Sequence, residues 1–175
     1  MMNSIGRIAV IIPHISSNTE TNLIDMIHTE AAAHGYDTIV ISAVINYVDQ
    51  QLDDVYSKGQ TNIYDLILHG DFDGYIFEAN IFCSEKQRKS IFNLLRKKNR
   101  PCVVINCEQP YFPVVSADET ALLYLSAMHL IREHGCRKLY CIGGYKGHKP
   151  SEQRIDGFRR AMDENGLTYD ETDII

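Results

Sequence analysis

A chain of 175 residues suits one domain, or one and a fraction, and with 45% hydrophobic and 23% charged side chains it can hold a core without staples. Its net charge of −6 argues against a nucleic-acid-binding face, and no apolar run approaches the ~20 residues that span a bilayer. The opening MMNSIGRIAVIIPHI lacks the basic start and small-residue cleavage site of a secretory signal, so a cytoplasmic protein without membrane contact is expected.

Residues 7–12 (RIAVII), closed by Pro13, read as a buried strand. The polar HISSNTET follows as a loop. Residues 22–34 read as a helix, with Leu23, Ile27 and Ala31 on one face and Gly35 as its stop. Residues 37–43 (DTIVISA) are a second strand, and residues 45–59, with their acidic QQLDD centre, a loop plus a short helix. Residues 62–68 (NIYDLIL) are helical and end at His69-Gly70. Residues 73–78 (DGYIFE) are a third strand, with Asp73 shaping the turn into it. Residues 84–99 form the clearest helix: Ser84 stands at its N-cap, Gln87 three residues on, and Lys97 and Lys98 at its C-terminal end. Its many basic side chains read as a solvated face, because no aromatic ladder interleaves them.

Pro101 opens a fourth strand, CVVIN, and Val114-Val115-Ser116 make a short fifth. Asp118 caps a helix that runs to Gly135. Residues 138–142 (KLYCI) are a further strand, and residues 153–165 the last helix, with Gly166 at its end. Strands alternating with helices predict an α/β fold, a doubly wound parallel sheet with helices on both faces. Ligands of such sheets bind outside the carboxyl ends of the strands, which directs attention to residues 14–21, 79–83, 106–118 and 143–153.

Little in these loops points to catalysis, and no enzyme activity, metal or cofactor is expected. The run Gly143-Gly144-Tyr145-Lys146-Gly147 lacks the Lys-Ser/Thr pair of a phosphate loop, and the loop after residue 12 has no glycine for a dinucleotide fingerprint. A flavodoxin-like nucleotide- or flavin-binding enzyme remains the alternative, since the serines and threonines of HISSNTET could hold a phosphate. The five cysteines are odd in number and without a CxxC pair; they read as buried reduced thiols rather than a zinc or disulfide framework. His129 and His134 lie five apart, a spacing that does not place both on one helical face as ligands. Arg154 sits where a helix begins, where the dipole does not favour a cation, so it needs a partner: a surface salt bridge or a ligand carrying carboxylate or vicinal hydroxyls.

Several stretches, in order, resemble the ligand-binding core of LacI/GalR-type regulators, the periplasmic-binding-protein type I fold. RIAVIIPHISSN is similar to the family's first strand and effector-touching loop, and DGYIFEA to its Asp-Gly strand. PCVVINCEQPYFPVVSADETALLYLSAMHLIREHGCRKLYCIGG carries the strongest likeness, and SEQRIDGFRRAMDENGL resembles its R-x-x-G-[FW]-x-x-A-[LM] helix. The chain departs from the pattern at Asn106, where an Asp is usual, and at Thr19-Glu20-Thr21, where an aromatic pair is usual. The family's helix-turn-helix is not found ahead of the first strand.

The resemblance implies residues 1–132 as an N-terminal lobe and residues 133–175 as the first strand-helix unit of a second, incomplete lobe. It implies a small-molecule sensor, with a sugar or similar polar metabolite held between lobes, a homodimer, and no direct DNA contact from this chain. The stretch 62–74 also looks like sensor domains placed ahead of diguanylate cyclases. Strand-end position and motif position together nominate Ser16, Ser17, Glu78, Gln109 and Arg154 as ligand contacts.

Overall fold

The computed structural model describes residues 6–15, 17–43, 59, 61–82, 85–144 and 148–175. The expected short helix in 45–59 and the Ser84 cap lie outside the described residues. The chain forms two compact units, residues 1–116 and 117–175.

The first unit is built on a parallel five-stranded sheet of order β2-β1-β3-β4-β5. Its strands are β1 (Gly6–Ile12), β2 (Tyr36–Ser42), β3 (Gly74–Glu78), β4 (Cys102–Ile105) and β5 (Val114–Val115). Each apolar run named from the sequence as a strand up to residue 115 is therefore a strand. β1 lies between β2 and β3, with Ile8 opposite both Thr38 and Gly74. The entry to β3 is tied down by Asp73, whose carboxylate accepts the Arg7 amide at 2.8 Å while its own amide donates to the Arg7 carbonyl.

Side chains alternate between the sheet faces. Ala9, Ile11, Ile41, Tyr75, Phe77, Cys102 and Val104 form one core layer with Ile67, Ile91, Phe92 and Leu95. The last four belong to α2 (Leu66–His69), which continues a 3₁₀ turn over Asn62–Asp65, and to α3 (Glu85–Lys98). Phe77 meets Phe82 and Phe92 edge to face at 5.3 and 5.0 Å, an arrangement that suits the ring quadrupoles. On the opposite face lies α1 (Asn18–Ala33), where His28 Nδ1 meets Thr38 Oγ1 at 2.8 Å. The sheet thus carries helices on both faces.

α1 begins four residues earlier than the apolar periodicity predicts. Ser17 caps it in a full capping box: its hydroxyl accepts the Thr19 amide, and Glu20 reaches back to the Ser17 amide at 2.6 Å. On the other face of the sheet Lys98 Nζ donates to the carbonyls of Leu68 and Gly70, so the cation placed at the end of α3 also closes α2.

The second unit pairs α4 (Glu119–Arg132) with α5 (Lys149–Glu164). Asp118 caps α4 by accepting the Ala121 amide, as expected. Ala127, Met128 and Ile131 of α4 pack with Phe158, Ala161 and Met162 of α5 and with Cys141. Gly157 makes this close approach possible: a Cβ there would overlap the Thr120 carbonyl oxygen and stand 3.0 Å from the Tyr124 nitrogen. The compact units divide before α4, whereas the sequence reading keeps this helix with the first lobe and divides after residue 132. The α4–α5 packing accounts for the difference.

Two expectations about elements of this unit change. α5 starts at Lys149, four residues before the periodicity does, with Pro150 in its first turn. The strand expected at 138–142 reduces to one parallel bridge, Cys141 to Ile174. Its neighbour there is a single 3₁₀ turn, Glu171–Asp173, and the backbone exchanges only the Cys141, Gly143 and Ile175 amides with the Asp173, Ile175 and Cys141 carbonyls. Lys138 fastens the same junction by donating to both oxygens of the buried Asp173 carboxylate at 2.7 and 2.6 Å.

Candidate functional site

The carboxyl ends of the parallel strands gather the chemistry of the first unit. After β1 the chain turns outward to α1 and β2; after β3 it turns the other way, to α3 and β4. The gap between the ends of β1 and β3 is therefore the topological switch point, where open α/β sheets take their ligands. His14 follows the end of β1, and Glu78 is the last residue of β3.

Glu78 is 2% exposed. The amides of Asn80 and Ile81 donate to its carboxyl group, yet its Oε2 has no hydrogen-bond partner among the described residues. Burial pushes its pKa from 4.5 to about 7, against the pull of those two amides. A buried carboxyl oxygen without a partner is costly, and a ligand hydroxyl or ammonium would supply what is missing. His14 Nδ1 is likewise buried and without a partner among the described residues. Cys107, just past β4, feels both Arg88, which lowers its pKa, and Glu78, which raises it; burial is the larger effect and pushes the thiol up. Arg88 itself donates to the Phe82 carbonyl at 3.3 Å.

The other nominated residues have different employments. Ser16 lies outside the described residues. Ser17 spends its hydroxyl on the α1 cap, donating to Glu20 Oε2 at 2.5 Å. Gln109 folds over its own loop: its Nε2 donates to the Phe112 carbonyl at 2.7 Å, and its Oε1 accepts the Tyr111 and Phe112 amides at 2.6 and 3.0 Å. Arg154 belongs to the second unit and pairs with Glu119 there, Nε to Oε2 at 2.7 Å, the salt-bridge alternative named from the sequence. Asn106 adopts a left-handed backbone, φ 56°, which Asn tolerates better than most residues, and its amide donates to the Val115 carbonyl.

Sequence reasoning passed over His14, Cys107 and Arg88. His14 had a usable signal, since it stands directly behind the proline that ends the first strand. Arg88 had none, because one arginine on a basic helix looks like its neighbours. Among the described residues no group of three or more His, Cys, Asp or Glu side chains could hold a metal ion.

A parallel sheet of this order gives the chain the periplasmic-binding-protein type I fold, which it shares with solved LacI-family regulators and solute-binding proteins. Solved structures of that fold match nearly the whole chain. The transcription regulator CcpA of Lactococcus lactis gives a TM-score of 0.67 at 20% identity, over 97% of this chain and 58% of its own. A LacI-family regulator from Enterococcus faecium, solved with bound ribose, gives 0.66 at 22% identity, over 97% and 55%. A periplasmic solute-binding protein from Actinobacillus succinogenes, solved with D-allose, gives 0.67 at 18%, over 91% and 55%.

In sequence, the chain is 27% identical over 172 residues to the HTH-type transcriptional regulator DegA of Bacillus subtilis, covering 97% of this chain and 47% of DegA. It is 27% identical over 97 residues to the HTH-type repressor PurR of Photobacterium profundum. The chain thus spans about half the length of these regulators or less. No protein-family profile matches it. The resemblance carried by the motifs is therefore seen in both sequence and fold, and the two relatives matched in sequence are transcription regulators. Among the described residues no helix is long and apolar enough to cross a membrane.

Proposed function

We propose that this chain is a sensing segment of a LacI-type regulator, in which a small polar metabolite of the sugar class binds at the carboxyl ends of the strands. The observation that carries the reading is the Glu78 Oε2 atom, buried and without a partner at the switch point of this fold. A sugar hydroxyl donating to Glu78 would satisfy it. The ribose and D-allose bound by two relatives of the same fold support that class of ligand. Ser17 and Gln109 are shaping residues in this reading, and Glu78 and His14 are the contacts.

The ligand acts by shifting a conformational equilibrium in a cytoplasmic homodimer, by no more than its differential affinity for the two states. The chain performs no catalysis, and DNA contact falls to other parts of the regulator. The test is a thermal-shift series on the chain with ribose, allose and a panel of related pentoses and hexoses. A compound that raises the melting temperature of the wild type and not of Glu78→Ala is the expected result. Stabilisation by a sugar that is equal in both proteins removes Glu78 from the site. Silence across the panel, with a flavin absorption band in the purified protein, replaces the reading with the flavodoxin-like one.

A further inference from the structure

The two histidines at the end of α4 meet in a way that their spacing does not suggest. Five residues apart on a continuous helix, they would diverge. But α4 stops at Arg132, and the chain folds back behind it, with the Cys136 amide donating to the Leu130 carbonyl at 3.1 Å. This brings His129 Nε2 and His134 Nε2 to 3.1 Å, with ring centres 4.9 Å apart and both rings exposed. The expectation that a spacing of five keeps the two rings on different faces is overturned by the end of the helix.

Two imidazole nitrogens on one divalent transition ion, each bonded at about 2.0–2.1 Å, stand about 2.8 Å apart on adjacent corners of a square plane and about 3.4 Å apart in a tetrahedron. The observed separation falls between these limits. The ring torsion of histidine is soft, so both exposed rings can turn their Nε2 lone pairs to one point without moving the backbone. The location adds a further argument. The carbonyl end of a helix carries the negative pole of its dipole and favours a cation.

We propose that His129 and His134 form a two-nitrogen chelate for a divalent transition ion of the zinc, nickel or copper class, with water in the remaining coordination positions. The ion takes the place of the proton that one Nε2 would otherwise donate to the other. Calcium and magnesium, which take oxygen ligands, are not expected to bind there. Binding would tie the last turn of α4 to the segment behind it. The inference stands apart from the sugar reading, because it uses no residue of the strand-end site.

The test is equilibrium dialysis of the reduced, intact chain with Ni²⁺, beside the variants His129→Gln, His134→Gln and the double variant. Far-UV circular dichroism of each checks that the helices are kept, as substitution at exposed positions should allow. The expected result is one ion per chain in excess of the double variant. Loss of even an outer partner of a metal ligand costs about 10–100-fold in affinity, so each single variant should weaken binding by at least about tenfold. Mg²⁺ in large excess should not displace the ion. Binding by either single variant that equals the wild type overturns the proposal, as does a wild type that binds no more than the double variant; the pair is then a hydrogen bond and nothing more.

Discussion

Replacing Glu78 by Gln isolates the cost of a buried carboxyl group. The glutamine carbonyl can still accept from the Asn80 and Ile81 amides, and its neutral head group removes only the charge. In the wild type the folded-state pKa is raised from 4.5 to about 7, so the folded chain holds this proton more tightly than the unfolded chain does. The stability it contributes is complete below pH 4.5 and is lost as pH rises through about 7. A shift of that size corresponds to about 3 kcal/mol, a large part of the stability of an ordinary domain. Glu78→Gln does not titrate, so its advantage over the wild type should grow by about 3 kcal/mol between about pH 4.5 and pH 8.

Urea unfolding followed by far-UV circular dichroism measures it, with tyrosine fluorescence as a second probe in a chain that has 10 tyrosines and no tryptophan. Taking the difference between the two proteins cancels the seven histidines, which titrate in both. A difference that stays flat across the range would refute the account of Glu78 as a buried group without a partner.

Two other substitutions probe the two units separately. Ser17→Ala removes the side-chain half of the α1 capping box and should destabilise the first unit by about 1 kcal/mol, read as a lower urea midpoint with an unchanged slope. Gly157→Ala puts a methyl group against the Thr120 carbonyl and the Tyr124 nitrogen; forcing α4 and α5 apart should cost about 1–3 kcal/mol, while Gly166→Ala, where nothing lies within 4 Å, should show only the strain of its φ of 62°.

The strands were legible because each is a short β-branched run that needs no partner to be recognised, and their order followed from the alternation with helices. Helix starts were harder to read. Both α1 and α5 begin in polar stretches, Ser17–Glu20 and Lys149–Glu152, where capping and proline geometry set the boundary and hydrophobic period says nothing. The strand expected at 138–142 failed for a different reason: apolar composition describes willingness to pair, and pairing depends on what lies alongside. Among the candidate contacts, Glu78 was nominated by position alone. Ser17 and Gln109 were nominated by the same logic, but serine and glutamine bond backbone as readily as ligand, and a sequence does not say which. The pairing of His129 with His134 depends on where α4 ends, which periodicity in the apolar residues alone leaves open.

The position of β1 has a consequence for synthesis. It is the second strand of the sheet and bonds on one side to β2, which follows it after one helix, but on the other to β3, whose first residue is Gly74. While a ribosome is making the chain, one edge of RIAVII must wait for β3 to emerge. For that interval a β-branched segment offers a full row of unpaired amides and carbonyls, the feature that draws nascent chains into wrong partnerships. Pro13, set directly behind the strand, cannot donate to any ladder and limits how far a stray pairing could extend. Crowded or heated cells should therefore lose this protein first during its manufacture, at a stage when its finished stability offers no protection.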